Sequence, residues 1–298
     1  MRILHLDSGR EMRGGQWQVL RLHKGLVEAG VESLLLARAE SPLAAATRAA
    51  SLPCADLTPL RLARLSPSYH LVHAHDARAH ALASICSVSP FVVSRRVAFA
   101  IRQGALSRWK YRRATRYLAV SRFVAAELER GGIPAGKIDI VYDGVPVPDQ
   151  PATGNRLLTP YSTDPGKCMH LAQQAAAHAG VPLELSRDLE QDLPSASGLI
   201  YLSLAEGLGS GILLAMAHGV TVIASNTGGI PELLEDGVTG FLTANTATAV
   251  AEAIHKASTR NSDRRFGAAA RLRVMERFTV PHMVAATRQS YRRALEHA

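Results

Sequence analysis

The sequence predicts an α/β chain of two parallel-sheet domains. Three observations predict it. Short apolar strand patterns alternate with helical ones from end to end, a proline-rich break divides the alternation near the middle, and glycine turns stand at strand ends. A chain of 298 residues is long enough for about two domains, each with its own core.

Residues 3–6 form the first strand. Gly14 and Gly15 then open a helix running to about residue 29, with Val19, Leu22 and Leu26 at helical spacing and Gly30 as its stop. Residues 33–37 are the next strand, and the stretch from there to about residue 66 carries no clear pattern. Strands follow at 71–74, 91–94, 117–120 and 138–141, with helices at 77–87 and 122–130. Residues 145–155 hold three prolines and no periodicity, which reads as an interdomain linker. Beyond it, strands are expected at 157–159, 183–186, 199–203 and 220–225. Helices are expected at 167–179, 210–218, 246–258, 263–277 and 281–297. The domains are therefore placed at 1–148 and 149–280, followed by a C-terminal helix at 281–298 expected to pack back on the first domain.

Composition excludes several classes. An apolar share of 47% and a charged share of 20% are those of a soluble globular chain, not a disordered one. The longest apolar run, 211–224, is broken by His218 and Gly219 and is too short to span a membrane. Met1 leads straight into a strand, with no signal-peptide pattern. Cys54, Cys86 and Cys168 lie far apart, as expected of reduced thiols in a cytoplasmic protein. The formal charge is +9, carried almost wholly by arginine, since only five lysines occur. That balance favours an anionic partner, and arginine is the better fork for phosphate and carboxylate.

The chemistry concentrates between Leu204 and Glu235. A buried-strand pattern ends in Glu206-Gly207-Leu208-Gly209, and a helix opens at Ser210. Glycines allow close backbone approach, and a helix N-terminus faces the anion, so the turn suits a phosphate-bearing ligand such as a nucleotide. Glu206 is placed to accept from sugar hydroxyls; a helix-capping acid on a tight turn is the alternative. A second strand-end turn, Thr227-Gly228-Gly229, leads through Pro231 to Glu232, which either bonds a ligand or favours a helix start. A dinucleotide fingerprint on Gly207, Gly209 and Gly211 is a weak reading, because the motif comes late in its domain and its third glycine is misplaced.

The series E-G-x-G, A-M-A-x-G and V-I-A-S-x-x-G-G-x-x-E, running from Glu206 to Glu232, resembles the family 4 glycosyltransferases. RILHLDSG with its Gly14-Gly15 helix, LVHAHDA, and the segment ending in VYDGV extend the resemblance over most of the chain. It implies the GT-B fold, two Rossmann-like domains facing across a cleft. It also implies transfer, with retention, from a nucleotide diphosphosugar to a glycan or lipid-linked acceptor, in cell-envelope polysaccharide, lipopolysaccharide or glycolipid synthesis. No cofactor, no metal and no nucleic-acid partner are expected.

By position, the resemblance puts Gly14 and Gly15 near donor phosphate and reacting sugar. Glu206 orients donor hydroxyls, and Lys167, Gly207, Leu208, Gly209 and Ser210 lie at the diphosphate. Thr227, Gly228 and Gly229 line the donor pocket. Three departures stand out. The family's second glutamate falls on Leu214, no arginine matches near Thr159-Pro160-Tyr161, and about sixty residues separate Gly144 from Glu206, so a smaller C-terminal sheet is expected.

His73 and His75 alternate onto one strand face, but a metal site there is not favoured. His75 and Asp76 are either acceptor-side residues or a plain strand terminus. Residues 91–123 hold nine basic residues and no acid. Arg95 and Arg96 are candidates for an anion site. The stretch from Arg102 to Arg116 is a candidate for an acidic membrane surface or simply a solvated face, which would make the protein peripheral at the membrane. Three functions compete: a glycosyltransferase, a sugar-nucleotide-binding relative without turnover, and an anionic-surface or nucleic-acid binder.

Overall fold

The computed structural model describes residues 1–101, 104–260 and 264–296, except the side chains of 259 and 260. Arg102 and the first residue of the helix expected at 263–277 fall outside the described residues. The chain divides into two compact units: Met1–Gly144 together with Val280–Ala298, and Val145–Thr279. The division falls after Gly144 rather than after residue 148, and the C-terminal helix belongs to the first unit.

The first unit is a seven-stranded parallel sheet. Its strands are β1 (Arg2–Asp7), β2 (Glu32–Ala37), β3 (Cys54–Asp56), β4 (Leu71–Ala74), β5 (Phe91–Arg95), β6 (Arg116–Ala119) and β7 (Ile138–Ile140), in the order β3-β2-β1-β4-β5-β6-β7. Crossovers run through α1 (Gly14–Glu28), α2 (Pro42–Ala49), α3 (Pro59–Leu65), α4 (Ala77–Cys86), α5 (Ala105–Arg113) and α6 (Arg122–Arg130). The second unit is a five-stranded parallel sheet in the order β12-β11-β10-β8-β9. Its strands are β8 (Arg156–Pro160), β9 (Glu184–Ser186), β10 (Ala196–Tyr201), β11 (Thr221–Ser225) and β12 (Phe241–Thr243). Its helices are α7 (Met169–His178), the single turn α8 (Leu189–Asp192), α9 (Ser210–Ala217), α10 (Ala247–Arg260) and α11 (Arg265–Arg277). The last helix, α12 (Val280–Glu296), returns to the first unit.

The stretch that carries no clear pattern in sequence holds α2, β3 and α3. Both helices begin on a cap followed by proline. The Ser41 hydroxyl accepts from the Ala44 N–H and the Thr58 hydroxyl from the Arg61 N–H, with Pro42 and Pro59 next in line. β10 starts earlier than residue 199 because its pairing with β8 begins at Ala196 and shifts register between Ala196 and Gly198. β12 is a three-residue edge strand, too short for a period to show.

Side-chain spacing decides which faces are buried. On α1, Val19, Leu22 and Leu26 are buried, and Gly25 leaves room for Val284 of α12 to pack closely. Ile3, Leu71, Val92 and Leu118 from the sheet meet Met283, Val284 and Tyr291 of α12 in one core. α9 is apolar all round, and Ile212 through Ala217 are all buried. The second unit's core gathers Ile200, Leu202, Ile223, Phe241, Ile254 and Phe266. At its entrance Val145 donates to the Phe278 carbonyl, so this unit's chain entry and exit are bonded together. Arg264 and Arg271 strap residues 148–154 through backbone carbonyls.

α12 is fastened by charge as well as by packing. Asp139 on β7 accepts from Arg116 Nε at 2.7 Å and Nη2 at 2.9 Å, from Ser290 at 2.6 Å and from Arg293 at 2.7 Å. Burial alone would push the Asp139 carboxyl up; the hydrogen bonds from Arg116, Ser290 and Arg293 outweigh it and hold it below the usual range. Asp139→Ala strands the buried Arg116 charge and should cost about 3–5 kcal/mol in chemical denaturation. A loss under 1 kcal/mol would mean the network contributes little.

Candidate functional site

In the C-terminal unit three strand-end loops are tied into one platform. The Ser203 N–H donates to the Ser225 hydroxyl at 2.9 Å, that hydroxyl donates to Asn245 Oδ1 at 2.5 Å, and Asn245 Nδ2 donates to the Ser203 carbonyl at 3.0 Å. Above this knot, Thr227 Oγ1 donates to the Leu204 carbonyl and the Gly229 N–H to the Glu206 carbonyl, at 3.2 and 3.0 Å. Gly228 has φ +56, and a Cβ there would strike the Glu206 carbonyl. The two glycine turns of the sequence are thus one interlocked structure, and the backbone of Glu206 is fixed from below.

The Glu206 side chain is fixed as well. Its Oε2 accepts from Lys167 Nζ at 2.5 Å and from the Tyr201 hydroxyl at 3.1 Å. Its Oε1 makes no hydrogen bond among the described residues. Lys167 sits in a loop pinned by Asp164, whose carboxylate accepts from the Gly166 N–H, and by the Leu204 N–H on the Gly166 carbonyl. Burial and the adjacent Glu206 carboxylate raise the Tyr201 phenol well above its ordinary value, so it remains a donor. The turn then continues through Gly207 and Leu208 to Gly209 at φ +105, which begins α9 with no side-chain cap and no acid in the first turn. The Ile212 and Leu213 amides already donate to the Gly209 carbonyl, so the amides of Ser210 and Gly211 are the ones left at this sheet edge.

Leu214 is buried within α9 and presents no polar group. Where no arginine follows β8, the face of Tyr161 is covered by Arg187, with its guanidinium carbon 3.8 Å from the ring centroid. Arg187 comes from the end of the neighbouring strand β9, too far along the sequence to be matched by motif. Glu232 closes a short turn and its carbonyl accepts from Arg273 at 3.2 Å.

In the N-terminal unit, Gly14 and Gly15 begin α1, again with no side-chain cap and no acid in the first turn. The loop before them is held by two aspartates. Asp7 accepts from the Gly9 N–H at 2.9 Å and from Gln16 Nε2 at 3.3 and 3.2 Å. Asp76 accepts from the Ser8 N–H and hydroxyl at 2.6 and 2.7 Å and also caps α4. Burial, then the neighbouring Asp76, raises the Asp7 carboxyl.

Arg95 ends β5 and Arg96 lies just beyond it, and the two take different partners. Arg95 donates to the Tyr111 hydroxyl at 2.7 Å and to the Phe99 carbonyl, so it holds α5 and the segment before it. Arg96 pairs with Asp143 at 3.0 Å, and its buried Nη1 makes no hydrogen bond among the described residues.

His75 is buried in a layer of histidines. His5 Nδ1 lies 2.9 Å from His75 Nε2, and His73 is bonded to Tyr291 at 2.6 Å and to Ser94 at 2.8 Å. Ring nitrogens of His5, His73 and His75 come within 4.8 Å of one another. A metal there would have to displace at least one of the two partners of His73, and the Arg96 cation stands nearby, so the layer fits a hydrogen-bonded core better than a cation site. Sequence reasoning missed His5 and Tyr291. His5 pairs in register with His73 across two strands, and Tyr291 arrives 218 residues later in the chain. His80 lies against Tyr111 and Tyr117; burial, then Lys110, lowers it to about 3.

Two parallel sheets, each with a glycine-started helix at a strand end, define a chain of two Rossmann-like units. Residues 12–147 match the family described as Glycosyltransferase Family 4, and residues 164–260 match Glycosyl transferases group 1. The chain belongs to the family 4 glycosyltransferases, of the GT-B fold. Among similar structures, Anabaena HepE in complex with UDP-glucose superposes with a TM-score of 0.84 at 18% identity, covering 97% of this chain and 98% of that one. Sucrose-phosphate synthase from Thermosynechococcus elongatus gives a TM-score of 0.77 at 16% identity over 100% of both chains. A curated relative, alpha-maltose-1-phosphate synthase of Mycolicibacterium smegmatis, is 35% identical over 113 residues. That match spans 35% of this chain and only 29% of the relative. Among the described residues no helix is long and apolar enough to cross a membrane.

Two outcomes follow from the site's construction. Burial lowers the pKa of His5, His23, His73, His75 and His80, so all stay neutral when folded, whereas in the unfolded chain they titrate near 6.5. The unfolded state therefore binds more protons below that value. Stability should be full above pH 6.5 and fall as pH drops below it. A melting temperature flat between pH 7 and 5 would contradict this. Gly228→Ala combines a left-handed φ with a clash on Glu206 and should cost more than about 1 kcal/mol by thermal denaturation. An unchanged melt would show that the turn tolerates a side chain.

Proposed function

We propose that this chain transfers a sugar from a nucleotide diphosphosugar to a hydroxyl of a glycan or lipid-linked acceptor, in the building of cell-envelope polysaccharide, lipopolysaccharide or glycolipid. The observation that carries the reading is Glu206. Lys167 and Tyr201 occupy one of its oxygens, leaving the other open beside the uncapped start of α9. A sugar hydroxyl donates to Glu206 Oε1, while the diphosphate lies against Lys167 and the amides of Gly209, Ser210 and Gly211.

As the bond between sugar and diphosphate breaks, negative charge grows on the departing phosphate. Donors already in place stabilise that charge without reorganising. Lys167 supplies the cation, and Arg187, stacked on Tyr161, is the second cation we assign to the same sheet edge. In the N-terminal unit, the amides of Gly14 and Gly15 and the side chain of Arg96 are the anion-facing groups, with His75 as a neutral neighbour. Retention of configuration is what the family resemblance implies. UDP-glucose bound to HepE supports a nucleotide-sugar donor here.

One observation favours a second reading. The buried Leu214, where the family carries glutamate, removes a grip on ribose, as in a relative that binds the donor without turnover. Thermal melting against UDP-, GDP-, ADP- and dTDP-sugars, followed by a donor hydrolysis assay, separates the two. A ligand at about 100 times its Kd adds roughly 2.7 kcal/mol, a shift of several degrees. A shift with turnover is the expected result, a shift without turnover supports the second reading, and no shift with any donor sinks both. Glu206→Ala should lower transfer by about 100-fold or more, in the range for losing one site group that acts on the transition state. Arg187→Ala should weaken donor binding while leaving the melt of the free protein unchanged.

A further inference from the structure

We infer that Tyr201 is a positioning residue for sugar recognition: it sets the direction of the Glu206 carboxylate, while Lys167 balances its charge. The inference rests on the sugar-transfer reading and concerns the same turn. Tyr201 ends β10, five residues before Glu206 and outside the motif that begins there. Its strand neighbours Ile200 and Leu202 enter the second unit's core. Alternation therefore turns the Tyr201 ring to the other face of the sheet, where α8 and α9 lie. Gly211, in the first turn of α9, makes room for that ring. A Cβ on Gly211 would stand 3.0 Å from Tyr201 Cε2 and 3.2 Å from Leu189 Cδ1 of α8. The ring thus lies close against the backbone of α9, and its hydroxyl arrives at a fixed point 3.1 Å from Glu206 Oε2.

The two partners of that oxygen act differently. Lys167 Nζ, 2.5 Å from Oε2, is a point charge on a flexible stem, and its rotating donors follow the carboxylate wherever it turns. A phenol has a stiff ring and a single O–H, so it fixes where Oε2 lies and hence where Oε1 points. Direction matters to a sugar hydroxyl, because a hydrogen bond weakens steeply once it is bent. The diphosphate instead meets Lys167 and the backbone amides of Gly209, Ser210 and Gly211, none of which uses the Tyr201 hydroxyl. The sugar and the nucleotide are therefore supported separately, and Tyr201 serves the sugar.

The test is calorimetric binding to the full chain and to its Tyr201→Phe variant. The probes are matched pairs: UDP with UDP-glucose, GDP with GDP-mannose, ADP with ADP-glucose, and dTDP with dTDP-glucose. The pair that binds the wild type most tightly is compared. The variant should bind the nucleoside diphosphate as the wild type does and the nucleotide sugar about 10-fold more weakly. In a Glu206→Ala background the same substitution should change neither affinity, because the group it acts through is gone. Equal weakening of both ligands would make Tyr201 a packing residue and overturn the inference. So would unchanged binding of the nucleotide sugar, or a further loss in the Glu206→Ala background. Those results leave the sugar-transfer reading standing, whereas a wild type that binds none of the probes overturns both.

Discussion

Among the described residues all twelve strands lie in two sheets paired in parallel, and that single constraint organises each unit. Parallel pairing sends every connection back through a crossover, so each sheet collects its strand ends, loop turns and helix starts along one edge. Asp7, His75, Asp76 and Arg96 gather along such an edge in one unit. Lys167, Glu206 and the Thr227–Gly229 turn gather along the corresponding edge of the other. The strand interiors are largely apolar, the exceptions being the histidine layer with Ser94, Ser33, and the Arg116–Asp139 pair.

The two edges use the same device with different supports. In each, a glycine starts a helix that has neither a capping side chain nor an acid in its first turn. Leaving amides without a side-chain cap costs stability unless something else meets them. In one unit two aspartates brace the loop before the helix. In the other a seryl-asparaginyl knot and a glycine packed on a carbonyl brace it. Glu206 is held through both backbone and carboxylate, which leaves one oxygen with a defined direction.

Much of this was legible in sequence because it is local. Strand periods, glycine turns and the Glu206 motif are patterns within a few residues, and the fold class followed from them. What escaped depends on distance or brevity. α2 and α3 were hidden by short length, although Ser41-Pro42 and Thr58-Pro59 carried their start signals. Tyr201 sits five residues before Glu206 with no motif to mark it, and Arg187 reaches Tyr161 from the adjacent strand. The pairing of His73 with Tyr291 joins the two extremes of the chain. Arg95 and Arg96 looked like a pair in sequence, yet their partners differ, one holding α5 and the other joined to Asp143.

The return of α12 to the first unit has a consequence for how the protein is made. As the chain emerges during synthesis, the seven-stranded sheet is complete well before residues 280–296 exist. Until they arrive, His73 lacks its tyrosine, Asp139 lacks Ser290 and Arg293, and the apolar surface around Leu22, Leu26 and Val92 stays open to water. The second unit, whose entry and exit are bonded to each other, has all its parts first. The unit that begins the chain is therefore the last to be finished, and its half-covered sheet is the form that a cell's chaperones would meet.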